Sequence, residues 1–232
     1  MKRVKPMSDQ IDRLGKLLLV ILPCIVVSAC TTARVEDVRV TATGILDGEG
    51  VVIMARSYHL GNETEDKFIE CVGAALARGS SALRVIPNSE FVDALFPWFE
   101  PRTAPSDTKG LPELMARPGV AEMIARKGVR YVIWLDGDTE RVAGGGSLSC
   151  AAGPGGGGCF GFAWWTKDSK YDAAVWDLTA LQSAGTVSTD VSGTSFLPAI
   201  VIPIPLIART RAKACKGLAD QLKSFIVTDE FA

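Results

Sequence analysis

Apolar positions fall into two periods along this chain, and the period changes mark its elements. Val38, Val40 and Ala42 alternate with polar residues, the pattern of a half-buried strand. Gly50-Val51-Val52-Ile53-Met54-Ala55 is apolar without a break, which predicts a strand covered on both faces. The spacing then changes: Phe68, Cys71, Val72, Ala75 and Leu76 fall at i, i+3, i+4, i+7 and i+8, predicting a helix over 63–78 with Asn62 as its cap and Gly79 at its end. Residues 83–86 form a short strand, and Ser89 caps a short helix that runs to Phe96. Residues 97–118 carry five prolines and read as an irregular insert containing Pro97-Trp98-Phe99-Glu100-Pro101. A helix over 120–127 stops at Gly128, and 129–135 is a strand rich in the β-formers Tyr131, Val132, Ile133 and Trp134. Beyond it the pattern becomes a meander, with strands at 138–149, 160–167, 171–179 and 186–194 as antiparallel neighbours. A final helix over 206–226 places Cys215, Leu218, Leu222 and Phe225 on one face.

These elements predict an α/β (α+β) domain: a three-layer-like arrangement of mixed β-sheet and flanking helices, with an antiparallel hairpin meander in its second half. The length after residue 36 suits one compact domain, placed at residues 37–228.

The amino terminus is different in kind. Lys2, Arg3, Lys5, Arg13 and Lys16 precede an apolar stretch over 17–27, which ends at Val27-Ser28-Ala29-Cys30. A spanning helix needs about 20 apolar residues. This run is shorter, is broken by Pro23 and meets Thr31, Thr32 and Arg34 at once. The segment resembles a bacterial lipoprotein signal. That resemblance implies removal of residues 1–29 and acyl chains on Cys30; residues 30–36 then read as a polar tether. Cys24 is a poorer site because Pro23 precedes it. Each buried CH₂ contributes about 0.8 kcal/mol, so several chains make a practically permanent anchor. Thr31, where the family places Asp for inner-membrane retention, implies the periplasmic face of the outer membrane.

Composition narrows the function further. The formal charge is −1, and losing residues 1–29 removes five basic and two acidic side chains to leave −4. A mildly acidic domain excludes a nucleic-acid partner. His59 is the single histidine, which removes most acid/base and metal constellations. Four cysteines remain after lipidation, and an even count in an exported chain predicts disulfides. Cys150 and Cys159 flank the run Gly153-Pro154-Gly155-Gly156-Gly157-Gly158 and are expected to pair across it. Cys71 then pairs with Cys215, each on the apolar face of its predicted helix. No CxxC pair accompanies these cysteines, so no metal is expected, and the only covalent group is the lipid on Cys30.

The order strand, helix, strand ending Val85-Ile86-Pro87, Ser-led helix, then Gly128-Val129-Arg130-Tyr131-Val132-Ile133 into hairpins resembles a known group. It is the fold group of the TolB amino-terminal domain, the curli secretion channel and the lipoprotein activators of peptidoglycan synthases. Ala173-Ala174-Val175-Trp176-Asp177-Leu178 followed by Gly185-Thr186-Val187 is similar to that group's strand-turn-strand. The chain also resembles proteobacterial lipoproteins with a Gly-rich hairpin and a Pro-Ile-Pro segment. These resemblances imply an envelope protein working through contacts and supply no activity.

Candidate sites are few. The glycine run lacks the Lys-Ser/Thr of a phosphate loop and precedes a strand, so it reads as a hairpin tip pinned by a disulfide. Ser147, Ser149 and Ser195 have no nucleophile elbow around them, His59 reads as a loop residue, and Asp136/Asp138 read as acidic turn residues. No catalytic residue is expected. Phe160, Phe162 and Trp164 share one strand face with Trp165 on the other, and Trp176 is placed on an adjacent strand. Trp164 and Trp165 are candidates for a ligand or glycan platform, peptidoglycan included, although cross-strand packing explains them too. The segment 196–207 is strongly apolar and broken by three prolines. It is either buried against the domain or exposed as a contact. Phe196, Ile200, Ile202 and Ile204, together with Trp98 and Phe99, are the candidate residues for a partner or membrane contact. The expected function is a non-enzymatic, membrane-anchored envelope assembly or accessory factor with a protein partner or self-association. A secretion-channel-like oligomer and a glycan-binding module are the alternatives.

Overall fold

The computed structural model describes residues 31–55, 64–79, 81–99, 103–105, 108–154 and 156–227. Cys30 with the signal segment, His59 and Asn62 lie outside the described residues. Among the described residues the fold is α/β: a mixed six-stranded sheet in the order β1-β6-β5-β4-β2-β3, with five α-helices. The strands are β1 (Thr31–Arg39), β2 (Gly50–Ala55), β3 (Val85–Ile86), β4 (Val129–Gly153), β5 (Gly156–Asp177) and β6 (Gln182–Val201). The helices are α1 (Asp66–Leu76), α2 (Asn88–Ala94), α3 (Leu111–Met115), α4 (Val120–Lys127) and α5 (Thr210–Val227). No helix among the described residues is long and apolar enough to cross a membrane.

The chain divides into two compact units. The larger takes in Thr32–Val142, Lys167–Ser192 and the chain from Arg209; the smaller takes in Ala143–Thr166 and Gly193–Ala208. Strands β4, β5 and β6 run from one into the other along the chain.

In the larger unit β2 pairs in parallel with β3 and with β4, Val52 opposite Val132 and Ile53 opposite Ile133. The unbroken apolar run of β2 is explained by burial on both sides. Val51 and Ile53 join Tyr131, Ile133, Val175 and Val187 beneath α1 and α5, which contribute Phe68, Val72, Leu76, Leu218, Leu222 and Phe225. Val52 and Met54 join Val132 and Trp134 beneath α2, α3 and α4, which contribute Phe91, Leu111, Leu114, Val120 and Ile124. Cys71 on α1 is bonded to Cys215 on α5, and Phe68 stacks on Tyr171 with ring centroids 3.4 Å apart.

Three expectations change. Residues 31–36 are not a tether but part of β1, because the sheet offers them the free edge of β6. The expected strands at 129–135 and 138–149 are one strand, β4, and those at 160–167 and 171–179 are one strand, β5. Trp176 therefore lies on the same strand as Trp164 and not on a neighbour. The polar stretches that resembled turns carry on because their backbones pair with the adjacent strand. Gly137 makes this possible: it sits at φ +117°, and a Cβ there would collide with the carbonyl of Lys170. The connections from β4 to β5 and from β5 to β6 are too short for a crossover, so both pairings are antiparallel, as expected.

Candidate contact surface

The smaller unit is built from the glycine-rich ends of β4 and β5, the end of β6 and the segment that follows it. Cys150 and Cys159 are bonded across the hairpin between β4 and β5, with Cα atoms 4.0 Å apart. The pairing sets two faces. A Cβ on Gly145 would lie 3.3 Å from the Trp164 indole nitrogen, so Gly145, Ser147 and Ser149 share a face with Trp164, Phe162 and Phe160. Phe162 stacks on Phe196 of β6 at 6.0 Å, and Thr166 meets Thr194 at 2.9 Å, which extends that face across a third strand. Leu148, the disulfide, Ala163 and Trp165 fall on the other face by alternation.

The proline-rich segment turns back on β6 instead of packing under a helix. Phe196 and Leu206 exchange backbone hydrogen bonds of 2.9 and 2.8 Å, the Ile204 N–H donates to Pro198 O at 2.9 Å, and Ala199 pairs with Pro203. The Ala208 N–H donates to the Ser195 hydroxyl at 3.0 Å. Prolines fit here because, among the described residues, one edge of this return strand has no sheet partner to supply. The question left open by sequence is thus answered: Ile200 is 78% exposed, Val201 64%, Ile202 72% and Ile204 61%. Phe160, at 75%, and Phe162, at 48%, add to them.

Of the residues proposed for contact, Phe196, Ile200, Ile202 and Ile204 come together in the smaller unit. Trp98 and Phe99 do not. Phe99 is 5% exposed and packs edge-on against Phe91, so it has no surface to offer a partner. Trp98 is half-buried, with the Arg117 guanidinium 4.6 Å from its ring centroid. Both belong to the larger unit's core, where the proline-rich insert is folded down over β2 and β4. Trp164 and Trp165 are half-buried and on opposite faces, so they do not form one platform.

One feature escaped the sequence reading altogether. Residues 143–166 and 193–208 contain no Asp, Glu, Lys, Arg or His. Arg141, Lys167, Asp190 and Arg209 are the first charged residues outside these segments in the chain. The signal was legible, but only once the two segments were known to form one unit.

Polar groups of the larger unit form two hydrogen-bonded networks. The Tyr171 hydroxyl donates to Glu65 at 2.5 Å and lies 2.8 Å from Thr139, which meets Ser169 at 2.9 Å; Ser169 donates to Thr210 at 2.9 Å. Burial, then the bond to Glu65, raises the Tyr171 pKa. Burial, then Glu140 and Glu65, raises that of Asp138. Arg130 donates to Asp177 at 2.8 Å, while Asp177 accepts from the Thr179 and Ala180 N–H groups and so fixes the turn after β5. A shallow cavity of about 230 Å³ is lined by Lys109, Trp134, Asp136, Asp172 and Thr186 among others. Among the described residues no group of three or more His, Cys, Asp or Glu could hold a metal ion.

No protein-family model and no curated protein matches the chain. Among solved structures it is similar to a dodecamer of a PelC variant from Paraburkholderia phytofirmans, at 11% identity and TM-score 0.38, covering 85% of this chain and 99% of that one. It is similar also to a second PelC dodecamer from the same organism, at 12% identity and TM-score 0.35, covering 86% and 99%. A likeness this slight carries no argument about function.

Proposed function

We propose that this chain is a membrane-held, non-catalytic component of a bacterial envelope that works by contact, through its smaller unit. One observation carries the reading: residues 143–166 and 193–208 expose Phe160, Phe162, Ile200, Val201, Ile202 and Ile204 without a single ionisable side chain to keep that surface in water. Acyl chains on Cys30 would hold the protein at the outer membrane, facing the periplasm, and the larger unit, with its two apolar cores and a cross-linked helix pair, serves as a rigid base. The same surface favours self-association, as in a secretion-channel-like subunit, over glycan recognition. A sugar site needs polar groups placed around an aromatic ring, and the opposite orientations of Trp164 and Trp165 supply no such platform.

The test is photo-cross-linking in intact cells, with a benzophenone side chain at Ile202 or, as a control, at Glu122 on the exposed side of α4. Discrete adducts, to this chain or another envelope component, are expected at position 202 and not at 122. Equal labelling at both positions, or none at 202, would overturn the proposal.

A further inference from the structure

Resting on the reading of the smaller unit as a contact surface, we infer that its partner is the hydrocarbon core of a lipid bilayer, which its strands cross. Charge sets the smaller unit apart. Forty residues in two separate segments lack any ionisable group, in a chain where Lys, Arg, Asp and Glu make up 22% of residues. A protein partner would tolerate charges at the rim of its interface, and water would require them on so apolar a surface. Hydrocarbon excludes them throughout.

Strand length fits a bilayer as well. The smaller unit takes the last eleven residues of β4, the first eleven of β5 and the last nine of β6. A strand crossing a bilayer at a tilt of about 45° needs about 9–11 residues. The charge-free stretch of each strand therefore matches the apolar thickness and ends where it should.

Aromatic residues are placed to match. Trp164 and Trp165 lie near the end of the charge-free stretch of β5, with Thr166 between them and the charged Lys167 and Asp168. Indoles collect at the level of the lipid headgroups, where an apolar ring meets a wet boundary. The face carrying Phe160, Phe162, Phe196 and Ile200 is the lipid-facing one. The other face carries Leu148, Ala163, Trp165, Ser195 and the disulfide and is turned away from the lipid.

A consequence follows for assembly. Among the described residues β2 pairs with β4 as far as Leu135, and residues 143–153 of β4 have β5 on one side and no strand on the other. Hydrocarbon offers nothing to hydrogen-bond an open edge, so strands of a second copy of this chain must close it.

The experiment uses the full processed chain, reconstituted in vesicles of phosphatidylcholine and phosphatidylglycerol doped with a phosphatidylcholine that carries a diazirine deep in one acyl chain. After irradiation, mass spectrometry should find label on peptides holding Phe160, Phe162 and Ile200, and none on α1 or α5. Ile200→Arg and Phe160→Arg, both at exposed positions and so harmless to folding, should each lower that labelling at least tenfold while the Cys71–Cys215 bond stays intact. Mild detergent should extract a defined multi-subunit particle. Label confined to the region of Cys30, unchanged labelling of both Arg variants, or a monomer in detergent would overturn the inference. If cross-links at Ile202 in cells persist while acyl-chain labelling fails, the contact surface stands and the bilayer falls; if both fail, both fall.

Discussion

Tyr171 shows how much of the larger unit hangs on single side chains. Its ring is stacked on Phe68, and its hydroxyl joins Glu65 on the lead-in to α1 to Thr139 on β4. Tyr171→Phe keeps the ring and leaves Glu65 and Thr139 short of a partner, so it should cost about 1–3 kcal/mol, read as a lower urea midpoint. Asp138 nearby pulls the other way. Because burial, Glu140 and Glu65 raise its pKa, the folded state favours its neutral form. That contribution is whole below the ordinary carboxylate pKa and is lost as pH rises through the elevated one. Asp138→Asn should therefore raise Tm at neutral pH, with the gain fading in acid where the wild-type side chain is already uncharged. Gly137→Ala should destabilise by more than about 1 kcal/mol in the same assay, since both its φ and its clearance to Lys170 exclude a side chain. Neither the Tyr171 network nor the demand on Gly137 could be read from sequence, because the partners lie far apart in the chain.

Among elements, the helix pair was the most legible. The stripe Phe68, Cys71, Val72, Ala75, Leu76 and the stripe Cys215, Leu218, Leu222, Phe225 each placed a cysteine on an apolar face, and the structure joins those two cysteines. Their separation is 144 residues. Cys71→Ala with Cys215→Ala should cost about 2–5 kcal/mol, the usual loss for a native disulfide, measured by denaturant unfolding of the oxidised protein. Strand boundaries were least legible. Polar residues between 135 and 138 and between 167 and 171 resemble turns locally, yet they remain in β4 and β5 because each side of the ladder pairs with the other. Local composition cannot register a partner strand.

For the whole molecule, two kinds of surface sit on one chain. The larger unit buries its apolar residues in two cores on either side of a sheet, as a water-soluble α/β body does. The smaller leaves Phe160, Ile200 and Ile202 outside. Ile202→Glu should accordingly leave the unfolding midpoint of the larger unit within about 0.5 kcal/mol of wild type, as exposed substitutions do. It should abolish the envelope contact tested by cross-linking, a separation of stability from function that differential scanning calorimetry alongside the cross-link would reveal.

The sequence by itself determined the α/β class, the doubly covered β2, the apolar faces of α1 and α5, and the cysteine pairing, because each follows from periodicity or proximity along the chain. Tertiary structure decided the rest. It made two pairs of expected strands into two long ones, removed Phe99 from the surface and brought residues 143–166 and 193–208 into one charge-free sheet. The physical reason is that exposure and strand pairing are properties of what lies across a gap in space, and no window of sequence contains both sides of that gap.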